Sequence, residues 1–191
     1  MDLRKPVWVA MSDLFLDTDV RLWYSAIARV LTDSPFALDE LDRMFYNEIA
    51  PILEPNLRVV AGEWGAFDEA WLMSRIAQRL DRNLAMRNFR SGAKGDWEAV
   101  RLLVEILRTL DPSERPRRIA LWDQLSKAFL DRQPISPPEG CSDAELEAVW
   151  RNEMWPSYGR SVKVYKKHSK DLYPSEEEIE QAWTRLKKAV S

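Results

Sequence analysis

The sequence predicts an all-α, multi-helix bundle built from two similar helical units, and three observations carry that reading. Apolar residues recur at three- and four-residue spacing through most of the 191-residue chain, while period-two alternation is scarce. Prolines and helix-capping side chains fall between the periodic stretches rather than inside them. Two blocks of the first half also reappear, in order, in the second.

The first helix is expected over Val7–Leu16, with Val7, Trp8, Met11, Leu14 and Phe15 on one face. Asp19 then has the chemistry to cap a second helix carrying Leu22, Trp23, Ile27, Val30 and Leu31. Ser34-Pro35 breaks that helix, and Asp39–Ile49 forms a third with Leu41, Met44, Phe45 and Ile49 inward. Pro51 is read as its stop. Phe67-Asp68 opens a fourth helix, with Trp71, Leu72, Ile76 and Leu80 on one face. Residues Asn88 to Gly95 hold two of the six glycines and are the expected linker, dividing the chain into units 1–87 and 96–191 packed as one body.

Beyond the linker, Asp96 is expected to cap a helix through Val100, Leu103, Val104 and Leu107. Pro116 suits the first turn of the next, which carries Ile119, Leu121, Trp122, Leu125 and Phe129. Gln133 to Gly140 holds three prolines and reads as loop. Ser142 or Asp143 caps a helix with Leu146, Val149, Trp150 and Met154. Residues 159–172 fit strand or helix equally. Ser175 and Glu178 have capping-box spacing for a last helix with Ile179, Ala182, Trp183, Leu186 and Val190 inward.

The internal match pairs Trp8, Ser12, Phe15, Leu16 and Asp17 with Trp122, Ser126, Phe129, Leu130 and Asp131, at an offset of 114. A second block pairs Asn47-Glu48-x-x-Pro51 with Asn152-Glu153-x-x-Pro156 at an offset of 105. The shorter offset fits replacement of the Asp19–Leu31 helix by the proline-rich loop.

Composition narrows the function. The formal charge is −3, and the first 72 residues hold six basic and 13 acidic side chains, a net −7. A general nucleic-acid binder would be basic. The lysines of Lys163–Lys170 have only Tyr165 and Tyr173 interleaved, so direct nucleic-acid binding is not expected. No stretch is long and apolar enough for a membrane span or signal peptide, and Cys141 is alone, so a reducing, cytoplasmic setting is expected. His168 is the only histidine, zinc fails on ligand count, and no phosphate-binding glycine loop occurs. No cofactor or metal is expected.

Two constellations remain. Glu48 and Glu153 would form a carboxylate pair for acid–base work or a divalent metal if the fold joined them; otherwise each serves its own helix end. Ala61–Trp71 is the densest aromatic and acidic cluster, with Glu63-Trp64 between two glycines. Glu63, Trp64, Asp68 and Glu69, with Asp17 and Asp19 as further acidic contacts, are the expected partner-binding residues.

Leu14-Phe15-Leu16-Asp17-Thr18, Glu48-Ile-Ala-Pro51, Pro55-Asn56-Leu57 and Gly62-Glu63-Trp64-x-x-Phe67-Asp68-x-x-Trp71-Leu72 together resemble a bacterial family of domains of unknown function over the first 80 or so residues. The resemblance transfers no activity and no catalytic residue. In size, composition and lack of catalytic motifs the chain is similar to immunity proteins encoded beside polymorphic or type VI secreted toxins. The expectation is therefore a non-enzymatic immunity protein that covers the active site of a cognate toxin, for example a basic or nucleic-acid-directed one. An enzyme using Glu48 and Glu153 with a metal, and a regulatory helical adaptor, are the alternatives.

Overall fold

The computed structural model describes residues 3–59, 62–63, 65–81, 91–130 and 140–158, together with 177, 180, 181, 183 and 184. Among the described residues the chain is all-α, with no strand. Trp64, residues 159–172, the first three residues of the 88–95 linker, the expected 133–140 loop apart from Gly140 and most of the last expected helix lie outside them.

Helix α1 (Lys5–Ser12) begins with Pro6 in its first turn and passes into a 3₁₀ turn, Asp13–Phe15. Asp19 caps a second 3₁₀ turn, Val20–Trp23, by accepting from the Arg21 N–H at 3.2 Å. Helix α2 (Tyr24–Asp33) follows without a side-chain cap, so Asp19 caps the turn ahead of the expected helix.

The third expected helix continues past Pro51. Helix α3 (Leu38–Arg43) widens into a π-helical stretch, Met44–Ile49, and continues as α4 (Ala50–Leu53) with Pro51 in its first turn. A proline cannot donate to the carbonyl four residues back. Here that carbonyl, on Asn47, accepts from the Arg79 guanidinium of α5 (Glu69–Asp81) instead. The freed acceptor is thus satisfied from outside, and the chain need not stop. In the second half, α8 (Asp143–Val149) passes through a π stretch, Trp150–Met154, into helix 155–158, which contains Pro156.

Helix α6 (Lys94–Thr109) starts two residues before Asp96. Asp96 is not its cap: it is buried in the first turn and accepts from the Tyr24 hydroxyl. Helix α7 (Arg115–Leu130) has Pro116 in its first turn, as expected. Ser142 caps α8 through the Glu145 N–H at 3.2 Å.

Helix α2 occupies the middle of the bundle. It packs along α6 and touches both α1 and α7. Tyr24 reaches Asp96 of α6, Ser25 donates to Asp123 of α7, and the Tyr24 ring lies 6.2 Å from that of Tyr158. Arg108 of α6 donates to the Leu31 carbonyl at 2.8 Å and so satisfies an end carbonyl of α2.

Two aromatic clusters fill the core. Phe45 stacks on Phe15 (5.6 Å) and Trp97 (4.9 Å). Trp150 meets Phe129 (5.2 Å) and Trp183 (6.4 Å). Phe15 and Phe129 stand at the offset of 114, and Phe45 and Trp150 at that of 105. Helix α5 departs from its expected pattern: Leu72 and Ile76 are buried, but Trp71 and Leu80 are 44% and 43% exposed.

Candidate functional site

Both conspicuous glutamates sit inside closed hydrogen-bond clamps. The Trp8 indole N–H donates to Glu48 Oε2 at 2.6 Å, and Arg4, one turn earlier on the chain, donates to Oε1 at 3.0 Å. In the second half Trp122 donates to Glu153 Oε2 at 2.8 Å, and Arg118 binds Oε1. Each tryptophan–arginine pair is spaced i, i+4, which puts both donors on one helix face. Burial pushes the Glu153 carboxyl up, opposed by the Trp122 and Arg118 hydrogen bonds. With both oxygens of each carboxylate engaged within its own half, these glutamates are arranged to join helices.

A third clamp follows the same chemistry. Asp42 of α3 accepts from the Trp97 indole at 2.9 Å and from Arg101 Nε at 3.1 and 3.2 Å. Desolvation pulls the Arg101 pKa down, but Asp42 and Glu105 outweigh it and hold it above the usual value.

Two of the segments that hold expected partner-binding residues, at Asp17 and Glu63, meet in one hydrogen-bonded cluster. Asn56 is its keystone: its amide donates to the Phe15 carbonyl at 2.8 Å and the Glu63 carbonyl at 3.0 Å, and its Oδ1 accepts from the Glu63 N–H at 2.7 Å. The Asp17 N–H adds a bond to the same Glu63 carbonyl at 2.8 Å. Gly62 is required by this approach, because a Cβ there would stand 2.7 Å from the Asn56 carbonyl oxygen. The fold therefore joins the Asp17 turn to the Glu63 loop across more than forty residues of sequence. Asn56 was not among the expected site residues; its place in Pro55-Asn56-Leu57, beside two turns, was the available signal.

Asp68 caps α5 through the Trp71 N–H at 2.7 Å, and Glu69 pairs with Lys5 of α1. Phe67 and Trp71, one turn apart, stack at 6.3 Å, Phe67 half-buried against the core and Trp71 exposed. Glu63, Asp68 and Glu69 surround this pair in the chain and are all exposed. Asp19 is spent differently. It forms a two-pronged pair with Arg21 (2.8 and 2.6 Å), and although burial acts to raise its pKa, the Arg21 contacts hold it below the usual carboxylate range.

Beside Lys5 and Glu69, a groove of about 450 Å³ runs between α1 and α2. Asp13 lines it half-buried, and loss of water raises its carboxyl pKa to about 6.

The profile of a domain of unknown function, DUF7079, matches residues 2–105. The chain belongs to that family. The matched segment runs from α1 through most of α6, so it includes the first clamp, the Asn56-centred loop and the groove. No curated protein and no solved structure matches the chain. Among the described residues, no group of three or more His, Cys, Asp or Glu side chains is placed to hold a metal ion, and no helix is long and apolar enough to cross a membrane.

Proposed function

We propose that the protein is a binding module for a basic protein partner and acts as an immunity protein does, by covering a cognate toxin's active site. The observation that carries this reading is the exposed Trp71 ring, stacked on half-buried Phe67, with the exposed acids Glu63, Asp68 and Glu69 close by in the chain. Exposed aromatic anchors contribute disproportionately to protein interfaces, and surrounding acids speed encounter with a positive surface. The loop is pinned by Asn56 and the helix start by Asp68, so little ordering entropy would be lost on binding. The net −7 of the first 72 residues supports a basic partner, with Asp17 beside the Glu63 loop as a further acidic contact. Cytoplasmic residence and an association with type VI or polymorphic toxins belong to this proposal. The Glu48/Glu153 enzyme reading is not carried further, since each carboxylate is already engaged by its own indole and guanidinium.

The test is co-expression with the product of the neighbouring gene, followed by calorimetry on the purified pair. A one-to-one complex that protects cells, weakened about tenfold or more by Trp71→Ala and by Glu63→Lys, is the expected result. Absence of both complex and protection overturns the reading.

We also infer that the halves are copies of one helical unit. The Arg–Trp–Glu clamps, the π stretches and the aromatic pairs Phe15–Phe45 and Phe129–Trp150 all keep the offsets of 114 and 105. Helix α2 then needs no second version, because one copy touches α1 and α7 together.

A further inference from the structure

The groove between α1 and α2 is separate from the Phe67–Trp71 stack, although Glu69 stands at its rim. Its volume, about 450 Å³, is in the range of small-molecule sites, and its walls are mostly apolar. Val9 and Ala10 supply one wall, Ala26, Ile27 and Val30 the other. Four charged side chains face it: Lys5, Asp13, Arg29 and Glu69. They are not equivalent. Lys5 and Glu69 neutralise each other at the rim. Arg29 is exposed and keeps its water. Asp13 is half-buried and, among the described residues, its carboxylate has no hydrogen-bond or ion-pair partner. Its carboxylate is therefore the group that gains most from an incoming donor.

We propose that this groove binds a small molecule carrying a primary ammonium group on a short apolar chain, the ammonium on Asp13 and the chain along Val9, Ala10, Ala26 and Val30. A compact ammonium fits a single carboxylate, whereas a guanidinium is matched to a planar, two-oxygen approach. The apolar walls suit an alkyl chain and give a hydrated anion nothing in return. Binding also draws the Asp13 carboxyl back toward its ionised form, so affinity depends on pH around 6.

The experiment is an amide NMR titration of the full chain with n-hexylammonium, with n-hexanol and hexanoate as comparison probes. At pH 7.5 the expected result is saturable shifts confined to Val9, Ala10, Asp13, Ala26 and Val30, with n-hexanol and hexanoate binding at least about tenfold more weakly. Asp13→Asn should lose about tenfold in n-hexylammonium affinity, and lowering the pH to 5 should cost the wild type about the same factor. Ala26→Phe changes an exposed position, leaves Asp13 intact and should block the groove to all three probes. Equal binding of n-hexylammonium and n-hexanol, unchanged binding in Asp13→Asn, or the absence of saturable shifts at these residues overturns the proposal.

Discussion

The two clamps invite comparison because they use the same three residue types at the same spacing and stand in different company. Arg4, Trp8 and Glu48 lie in a half that also carries α2, the Asn56-centred loop and α5. Arg118, Trp122 and Glu153 lie in a half where the sequence between α7 and α8 is rich in proline. The chain between Tyr158 and Trp183 is also shorter than that between Leu53 and Trp97. The shared parts are those that hold helices together. The Trp71 stack lies outside the two repeated blocks, and the Asp13 groove forms where the repeated α1 meets α2, which has no counterpart among the described residues of the second half. Scaffold is common to the halves, and candidate function is confined to one of them.

That contrast is open to attack at its strongest point first. Phe45→Ala and Trp150→Ala remove the ring at the centre of each aromatic cluster, and each should cost about 3–5 kcal/mol in urea unfolding. A loss of that size in one half and under about 1 kcal/mol in the other would break the equivalence. Next come the clamps themselves. Trp8→Phe and Trp122→Phe keep a ring but leave a glutamate short of a donor, and each should cost about 1–3 kcal/mol by the same measurement.

Asp13→Asn should act in the opposite direction. Its carboxyl pKa rises from 3.8 to about 6 on folding, so between those values the native chain holds more proton than the unfolded one. Stability contributed by that proton is present at low pH and is lost as pH rises through about 6. Allowing for partial solvent exposure, the substitution should stabilise the chain by about 1 kcal/mol at pH 7.5 and flatten its stability curve between pH 4 and 6. Thermal melts across that window check both. The smallest effect expected is that of Trp71→Ala, under about 1 kcal/mol, because the residue is 44% exposed and lies outside the buried core. A large stability loss there would move Trp71 from the binding surface into the scaffold.

Helix existence was legible from apolar spacing because burial of one stripe is a local property of the sequence. Helix continuation was not. Pro51 reads as a stop until Arg79, from a distant helix, is seen to take the Asn47 carbonyl that the proline leaves. Asp96 reads as a cap, yet its partner is the Tyr24 hydroxyl, and nothing local marks a pairing across 72 residues. Trp71 falls within the inward spacing of α5, but only the narrow stripe of Leu72 and Ile76 is covered. The repeat was visible as two separate blocks; that Trp8 and Glu48 are members of one clamp emerges only when α1 meets the π stretch. Asp17, Glu63, Asp68 and Glu69 were readable as exposed acids, whereas Asn56, which joins two of their segments, was not. The groove at Asp13 depends on which faces α1 and α2 turn toward each other, and periodicity in either helix leaves that open.

The placement of α2 has a consequence for how the molecule comes apart. Its Tyr24 is tied to α6 and its Ser25 to α7, while its flank packs on α1. Neither half can lose its tertiary packing without stripping that helix of partners in the other. The chain should therefore melt in one cooperative transition, with the amides of α2 exchanging only at the global unfolding limit. A fragment ending near residue 105 would keep α2 but lack α7, leaving Ser25 without its acceptor on Asp123.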